Sequence, residues 1–451
     1  MSTAEDIGAR TMSKIKWRIL PFCLLLYVIN FIDRQNIGIA ALQMNKELDI
    51  SLVQFGTLAT AFFISYFIFE VPSNLLMHKV GANKWIARIM ISWGLVVALT
   101  GLAQAFWHIY TLRFLLGLME AGFFPGMIYY FTYWFPSQHR ARAVAVFMLG
   151  LPLANIVGAP VATLIMDNIS WFGLTGWRWV FVLEGVPAII FGVMCLWFLT
   201  NTPDRASWLT TEEKNWLAAE LAKEGGSKQA SRHMSLKDVL SNPMILWLCF
   251  IFFAFTAATN CFGIWLPTIL KEFSKASNTA VGVLLMIPYS VSAVCMYLWS
   301  WKSDKSADRR WDAAIPNFIA AFGLLVAGLG PTLTIKIIGI VIMVAGANAV
   351  NSPFWTLPAS FLSGVSAAAG LAFINSFASL GGIFGNMAVG TIKQYSNDQN
   401  VALYFLAGCF VVAGLAIVAL PKRLGMAASA GANADGAAAS GSGATGGAPA
   451  K

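Results

Sequence analysis

The sequence predicts an all-α membrane protein, with twelve transmembrane helices in two six-helix halves. Three observations lead there. Of 451 residues, 58% are hydrophobic and only 11% charged, against about 25% charged in ordinary soluble domains. Twelve runs of roughly 20 apolar residues, the length that spans a bilayer core, follow one another between polar loops. Landmarks also recur at a spacing of 226 to 228 residues: Pro125 with Pro353, Gly158 with Gly385, and the loop of His78, Lys79 and Lys84 with that of Asp304, Lys305 and Arg310. Parallel halves of this kind suit a carrier that rocks about a site near the bilayer midplane.

Residues 1–16 are polar, and the apolar run that follows is full length without a small-residue cleavage site, so the first helix is expected to stay as an uncleaved anchor. The runs fall near 17–42, 53–77, 85–105, 108–135, 142–167 and 178–200, then 243–270, 279–301, 312–330, 335–361, 366–392 and 401–421. Residues 1–200 therefore form the first half and 243–421 the second. The segment 201–242 between them holds six Lys and Arg against six Asp and Glu and reads as a central loop. From residue 422 to 451 the chain is mostly Ala, Gly and Ser, a disordered tail by composition.

The net charge of +9 could suggest a nucleic-acid partner, but the basic residues are scattered through short loops rather than gathered in one patch. Counted beside the helix ends, fifteen Lys and Arg lie on one side and six on the other. That bias puts both termini and the central loop in the cytoplasm, with the protein in the inner membrane. The six cysteines all lie inside apolar runs without paired spacing and read as small buried hydrophobes. His78, His108, His139 and His233 lie at helix ends or in loops, not at metal-ligand spacing, and no phosphate-cradling loop is present. The chain is thus not expected to be an enzyme or to carry a cofactor; it is expected to act as a monomer.

Charge inside the apolar runs marks the candidate site. An ionised side chain in a lipid-embedded helix costs several kcal/mol unless water, a partner or a substrate meets it. The stretch from Asn30 to Asn36 places Asp33 and Arg34 within the first helix, and Arg113 and Glu120 lie within the fourth. At about 1.5 Å per residue, Asp33, Arg34 and Arg113 share a level roughly 8 to 13 Å inside the outer face. Glu120 lies on nearly the same helix face as Arg113 but ~10 Å deeper, so it needs water, a proton or a neighbouring helix rather than Arg113. Across the repeat, Asp33 faces Asn260, Arg34 faces Cys261, Glu120 faces Asn348 and Arg113 faces Val341. The charge is confined to the first half, while Asn260 and Asn348 suit contacts to neutral parts of a substrate.

Many ordered motifs carry a family resemblance: Phe31-Ile-Asp-Arg34, Phe69-Glu-Val-Pro-Ser-Asn74, Arg113 to Gly122 with Pro125-Gly126, Tyr133-Trp-Phe-Pro136, Trp177-Arg-Trp179 with Leu183-Glu-Gly-Val-Pro187, and Trp208 to Lys214. In the second half Trp265 to Leu270, Pro353 to Pro358, Ile374-Asn-Ser376 and Leu380-Gly-Gly382 agree as well. Over residues 14–421 the chain resembles the major facilitator superfamily, and within it the anion:cation symporters that include bacterial tartrate, phthalate, hydroxyphenylacetate, galactonate and glucarate permeases and the animal sialins.

The resemblance implies proton-coupled import of a small organic anion, such as a sugar acid, a tartrate-like dicarboxylate or an aromatic acid. It implies that Arg34 and Arg113 attract or hold the carboxylate, that Asp33 and Glu120 carry the coupling proton, and that Tyr66 and Asn375 bond the substrate. Lys79, Asp304 and Lys305, in the cytoplasmic loops that the superfamily repeats, are gating candidates. Two departures stand out. His78 replaces the usual Asp of the first loop, and Gly385-Asn386-Met387 replaces Gly-Pro-Tyr in the eleventh helix, which adds Asn386 as a polar candidate. Proton-driven export of an acid or drug by the same fold is the alternative reading, with a sensor or membrane enzyme behind it.

Overall fold

The computed structural model describes residues 4–227, 241–306, 308–359, 364–396, 398 and 400–422. The rest of the central loop, 228–240, and the tail from 423 onward lie outside them. The first half contains α1 (Ala4–Glu47), α2 (Leu52–Val80), α3 (Ala82–Thr100), α4 (Phe106–Glu120), α5 (Phe123–Trp134), α6 (Ser137–Met148), α7 (Gly150–Asn168) and α8 (Gly176–Phe198). A loop helix, α9 (Thr211–Ser227), precedes α10 (Pro243–Ser274), α11 (Asn278–Asp304), α12 (Arg309–Leu329), α13 (Leu333–Ala359), α14 (Gly364–Tyr395) and α15 (Val401–Val418). Paired pieces α4–α5 and α6–α7 make the fourth and fifth spans, so each half has six.

Eleven of these spans are long and apolar enough to cross a membrane among the described residues. The remaining one, α14, is 32 residues long. Leu153, Val157, Val161 and Leu164 of α7 are all exposed. Their spacing of four, four and three residues makes one helix face, an apolar stripe suited to lipid.

Sequence boundaries failed at both ends of the first helix and in the central loop. Helix α1 begins near residue 4 rather than 17: its first turns, where Met12 and Ile15 are buried, pack on a helix in the central loop, where composition alone shows a polar chain. Helix α9 starts in a capping box: the Thr210 backbone N–H donates to Glu213 Oε2 (2.9 Å), and the Glu213 N–H to Thr210 Oγ1 (3.3 Å). That pairing satisfies two of the orphan donors at a helix start. Glu213 is buried and accepts from Lys14 Nζ (2.7 Å) and Arg10 Nε (3.2 Å), which fastens α9 to α1.

The two halves meet tightly at the end of the bundle remote from the termini. Asp167 of α7 accepts from the Asn278 side chain (2.7 Å) and from the Thr279 N–H and hydroxyl (2.8 and 2.7 Å), capping α11 of the other half. Gln394 of α14 likewise accepts from the Leu52 N–H (3.0 Å) at the start of α2. Glycine permits this approach: a Cβ on Gly56 would stand 2.5 Å from the carbonyl oxygen of Asn386. Within the first half, Arg178 binds Glu47 (2.8 Å) and the Gly101 carbonyl (3.1 Å), so the Trp177-Arg178 motif ties α1 and the α3–α4 loop to α8.

Candidate functional site

The sequence makes the site by breaking the fourth span. Gly122 has φ +89°, a left-handed conformation that costs an L side chain about 1–2 kcal/mol. A Cβ there would also meet Ser73 Oγ at 2.5 Å. Helix α4 therefore ends on Glu120, and α5 restarts with Pro125 in its first turn, where its missing N–H costs nothing.

Glu120 is fully buried and accepts 2.7 Å from Asn30 Nδ2, while Arg34 Nε pairs with the same oxygen. Asn30 and Arg34 are four residues apart on α1 and so present one face to α4. The guanidinium of Arg34 lies over Tyr66 (4.7 Å from the ring centre), with Phe62 and Phe31 at 5.2 and 5.6 Å. Such stacking holds a cation by the ring quadrupole. Arg34 keeps 22% of its side chain exposed, against none for Glu120. It is the member of the pair that a solute can reach.

Asp33 points the other way. Its Oδ2 accepts from Trp93 Nε1 of α3 (2.9 Å), and its Oδ1 has no partner. Arg113 is 1% exposed, reaches the carbonyl oxygen of Arg34 at 3.5 Å and lies 5.3 Å from the Phe62 ring centre. Its Nε and Nη1 have no partner. The shared level of Asp33, Arg34 and Arg113 agrees with this geometry, and the neighbour that Glu120 needed is α1. The two arginines turn to different acceptors: Arg34 to the Glu120 carboxylate, Arg113 to the backbone carbonyl of Arg34.

Other sequence candidates are placed less uniformly. Asn375 donates 3.2 Å to Glu70 Oε1 across the halves. Asn260 is half-buried on α10. Asn348 donates to Ser292 Oγ (2.6 Å). Asn386 is fully buried; it accepts from Trp265 Nε1 (3.1 Å) and donates to the Gly382 carbonyl (2.8 Å). Both sides of the Asn386 amide are thus used in packing in this conformation, while Asn348 has its Nδ2 engaged by Ser292. Lys79 is exposed, Lys305 Nζ sits 3.5 Å from the Trp301 ring centre, and the Asp304 side chain lies outside the described residues.

Sequence reasoning missed Trp93 and passed over Asn30. An indole N–H in an apolar helix needs an acceptor, a signal that could have flagged Trp93. Asn30 lies one turn before Arg34.

With this geometry in hand, similarity to known proteins is informative. Residues 23–386 match the Major Facilitator Superfamily. A protein of Agrobacterium vitis provisionally named a tartrate transporter is 41% identical over 418 residues, 93% of each chain. A quinolone resistance transporter of Acinetobacter baumannii is 35% identical over 402 residues, 89% of this chain and 93% of that one. Among solved structures, a bacterial homologue of the human lysosomal transporter Spinster, inward-facing and occupied, aligns with a TM-score of 0.73 at 18% identity, over 89% of this chain and 95% of its own. On family match, relatives and fold together, the chain belongs to the Major Facilitator Superfamily.

Proposed function

We propose that this transporter imports a small organic anion with protons, and that Arg34 receives the carboxylate while Glu120 takes the proton. The observation that carries the reading is the buried Glu120 bonded to a partly exposed Arg34. A substrate carboxylate that takes the Arg34 fork leaves Glu120 as a buried anion without its cation. Stranding one member of a buried pair costs about 3–5 kcal/mol, and a proton removes that cost. Binding of the anion and of the proton are thereby linked. The four charges of the cluster balance as two acids and two arginines, so an added anion calls for an added proton. Asp33 is the second carrier in this reading, with Arg113 holding the backbone of Arg34 and Tyr66 fixing its guanidinium.

The relative named for tartrate supports a dicarboxylate or sugar acid as substrate. The Lys and Arg bias supports cytoplasmic termini in the inner membrane. In that orientation the end joined by Asp167, Asn278 and Thr279 is periplasmic, and Lys79, Asp304 and Lys305 lie in the cytoplasmic loops. The quinolone resistance relative favours proton-driven export as the second reading.

Proteoliposomes under an imposed pH gradient, offered tartrate, sugar acids and aromatic acids, test both. Anion accumulation on the side to which protons flow is expected, and accumulation against the proton flow would establish export. Glu120→Gln copies the protonated acid in shape. It should keep exchange of labelled for unlabelled anion and lose gradient-driven accumulation, whereas accumulation at the wild-type level would remove Glu120 from the coupling step.

A further inference from the structure

A second buried carboxyl lies on the side of α1 away from Glu120, and the transport reading leaves it unused. Glu184 of α8 is 7% exposed; the Asn36 side chain is its polar neighbour, but no hydrogen bond of ordinary length reaches either carboxyl oxygen. It faces a cavity walled by Gln35 and Asn36 of α1, Asn155 of α7 and, from the other half, Tyr289 of α11. The space is about 20 Å³ on the measure by which one water needs roughly 10–15 Å³. Water therefore fits. Asn36 is 1% exposed and stands beside Glu184 without a hydrogen bond of ordinary length, so a water between them finds the several polar neighbours that make it stable.

No Lys or Arg lines the cavity. An ionised carboxyl without a cation or hydrogen bonds is the costliest state a buried acid can adopt; a neutral acid hydrogen-bonded to water avoids that cost. Among the described residues, the charged group that acts on Glu184 from the helices packed around it is Asp33 of α1. Tyr289 faces the cavity from α11, Asn155 from α7, and Trp93 of α3 is already bound to Asp33. Asn36 is three residues beyond Asp33 and so lies on the same side of α1. The unpartnered Asp33 Oδ1 is thus an acceptor on the helix whose Asn36 and Gln35 wall the cavity.

The cavity also lies under the contact that shuts the bundle. Its walls include α7 and α11, the helices joined at the far end by Asp167 with Asn278 and Thr279. In each helix the cavity wall lies about two turns from that contact, which stands between the cavity and the face remote from the termini.

We propose that Glu184 and the water of this cavity form the far-side arm of the proton path, loading from that face when α7 and α11 part and handing the proton to Asp33. In the transfer an O–H bond at Glu184 breaks and one at Asp33 Oδ1 forms, with water between; acid and carboxylate change places and the net charge is unchanged. The proposal rests on the proton-coupled reading above.

Infrared difference spectra of purified wild type against Glu184→Gln test the acid without any substrate. A protonated-carboxyl band at neutral pH, shifted in heavy water and absent from the variant, is expected; its absence from wild type would overturn the proposal. Proteoliposomes carrying an internal pH dye and labelled tartrate test the path. For Glu184→Gln, accumulation and proton influx should fall by about a hundredfold, with counterflow unchanged. Ala154→Val, which narrows the cavity and leaves Glu184 in place, should show the same split in milder form. Wild-type accumulation by both variants, or loss of counterflow along with accumulation at an unchanged melting temperature, would overturn it. Absence of proton flux in wild type would instead defeat the symport reading, and the infrared result would still stand.

Discussion

The fourth and tenth spans hold matching places in the repeat and end as different devices. Each has a proline at the matching place, Pro125 and Pro353, yet the fourth span breaks into α4 and α5 while α13 runs unbroken from Leu333 to Ala359. The position matching Gly122 is Val350, and a β-branched residue strongly resists positive φ. One residue thus decides whether the helix turns at the acid. At the break, Glu120 meets Arg34 and Asn30; at the matching place in the unbroken helix, Asn348 meets Ser292. The difference teaches that the halves are alike in scaffold and unlike in chemistry: at the matching place the first buries an ion pair, and the second buries an amide bonded to a hydroxyl.

Moving the acid between halves is the strongest way to break that comparison. Glu120→Gln combined with Asn348→Glu keeps the charge count but puts the carboxyl beside a serine hydroxyl rather than a guanidinium. Gradient-driven uptake should stay about a hundredfold or more below wild type, measured in proteoliposomes at matched protein. Recovered uptake would mean that the halves are interchangeable.

Reciprocal exchange at the bend sharpens it. Gly122→Val imposes the second-half residue on a left-handed position, with a Cβ clash at Ser73, and should cost about 2 kcal/mol or more. Val350→Gly removes a buried side chain (1% exposed) from a regular helix, and its loss of about 2 kcal/mol or more comes from the cavity left behind and the added backbone freedom. Thermal unfolding in detergent tells the two apart when each site carries alanine instead: Val350→Ala should recover part of the loss, whereas Gly122→Ala should stay close to Gly122→Val, and recovery at residue 122 would deny the bend its special role.

The smallest effect concerns the clamp of α9 on the first half, which lies outside the membrane. Burial pushes the Glu213 carboxyl up, but the hydrogen bonds from Lys14 and the Thr210 N–H and the charges of Lys14 and Arg10 outweigh it and hold it below the ordinary value. A lowered carboxyl gives stability that is present above the unfolded value of about 4.3 and lost as pH falls through the lowered one. Lys14 and Arg10 are 41% and 49% exposed, so screening keeps the contribution under about 1 kcal/mol. Glu213→Gln should lower the melting temperature slightly at neutral pH and not at about pH 3. An undiminished difference in acid would show that packing, not charge, holds the clamp.

What the sequence alone determined is the part governed by local chemistry and counting. Twelve spans follow from apolar length and the two halves from the 226 to 228 spacing. That Asp33, Arg34, Arg113 and Glu120 are exceptional follows from the cost of charge in lipid. The capping box at Thr210 and Glu213 was legible too, though hidden in a stretch that looks merely polar. Tertiary structure decided the partners. Periodicity places Arg113 and Glu120 on one face of a helix, but it cannot say that Arg34 takes Glu120, that Trp93 takes Asp33, or that Arg113 retreats behind a backbone carbonyl. Nor can it separate Asn375, which crosses to Glu70, from Asn386, whose amide is used up by Trp265 and Gly382. An amide or a charge in a membrane helix must find a partner. Its own helix fixes only the direction in which it looks, and the neighbouring helix that stands there is set by the packing of the whole bundle.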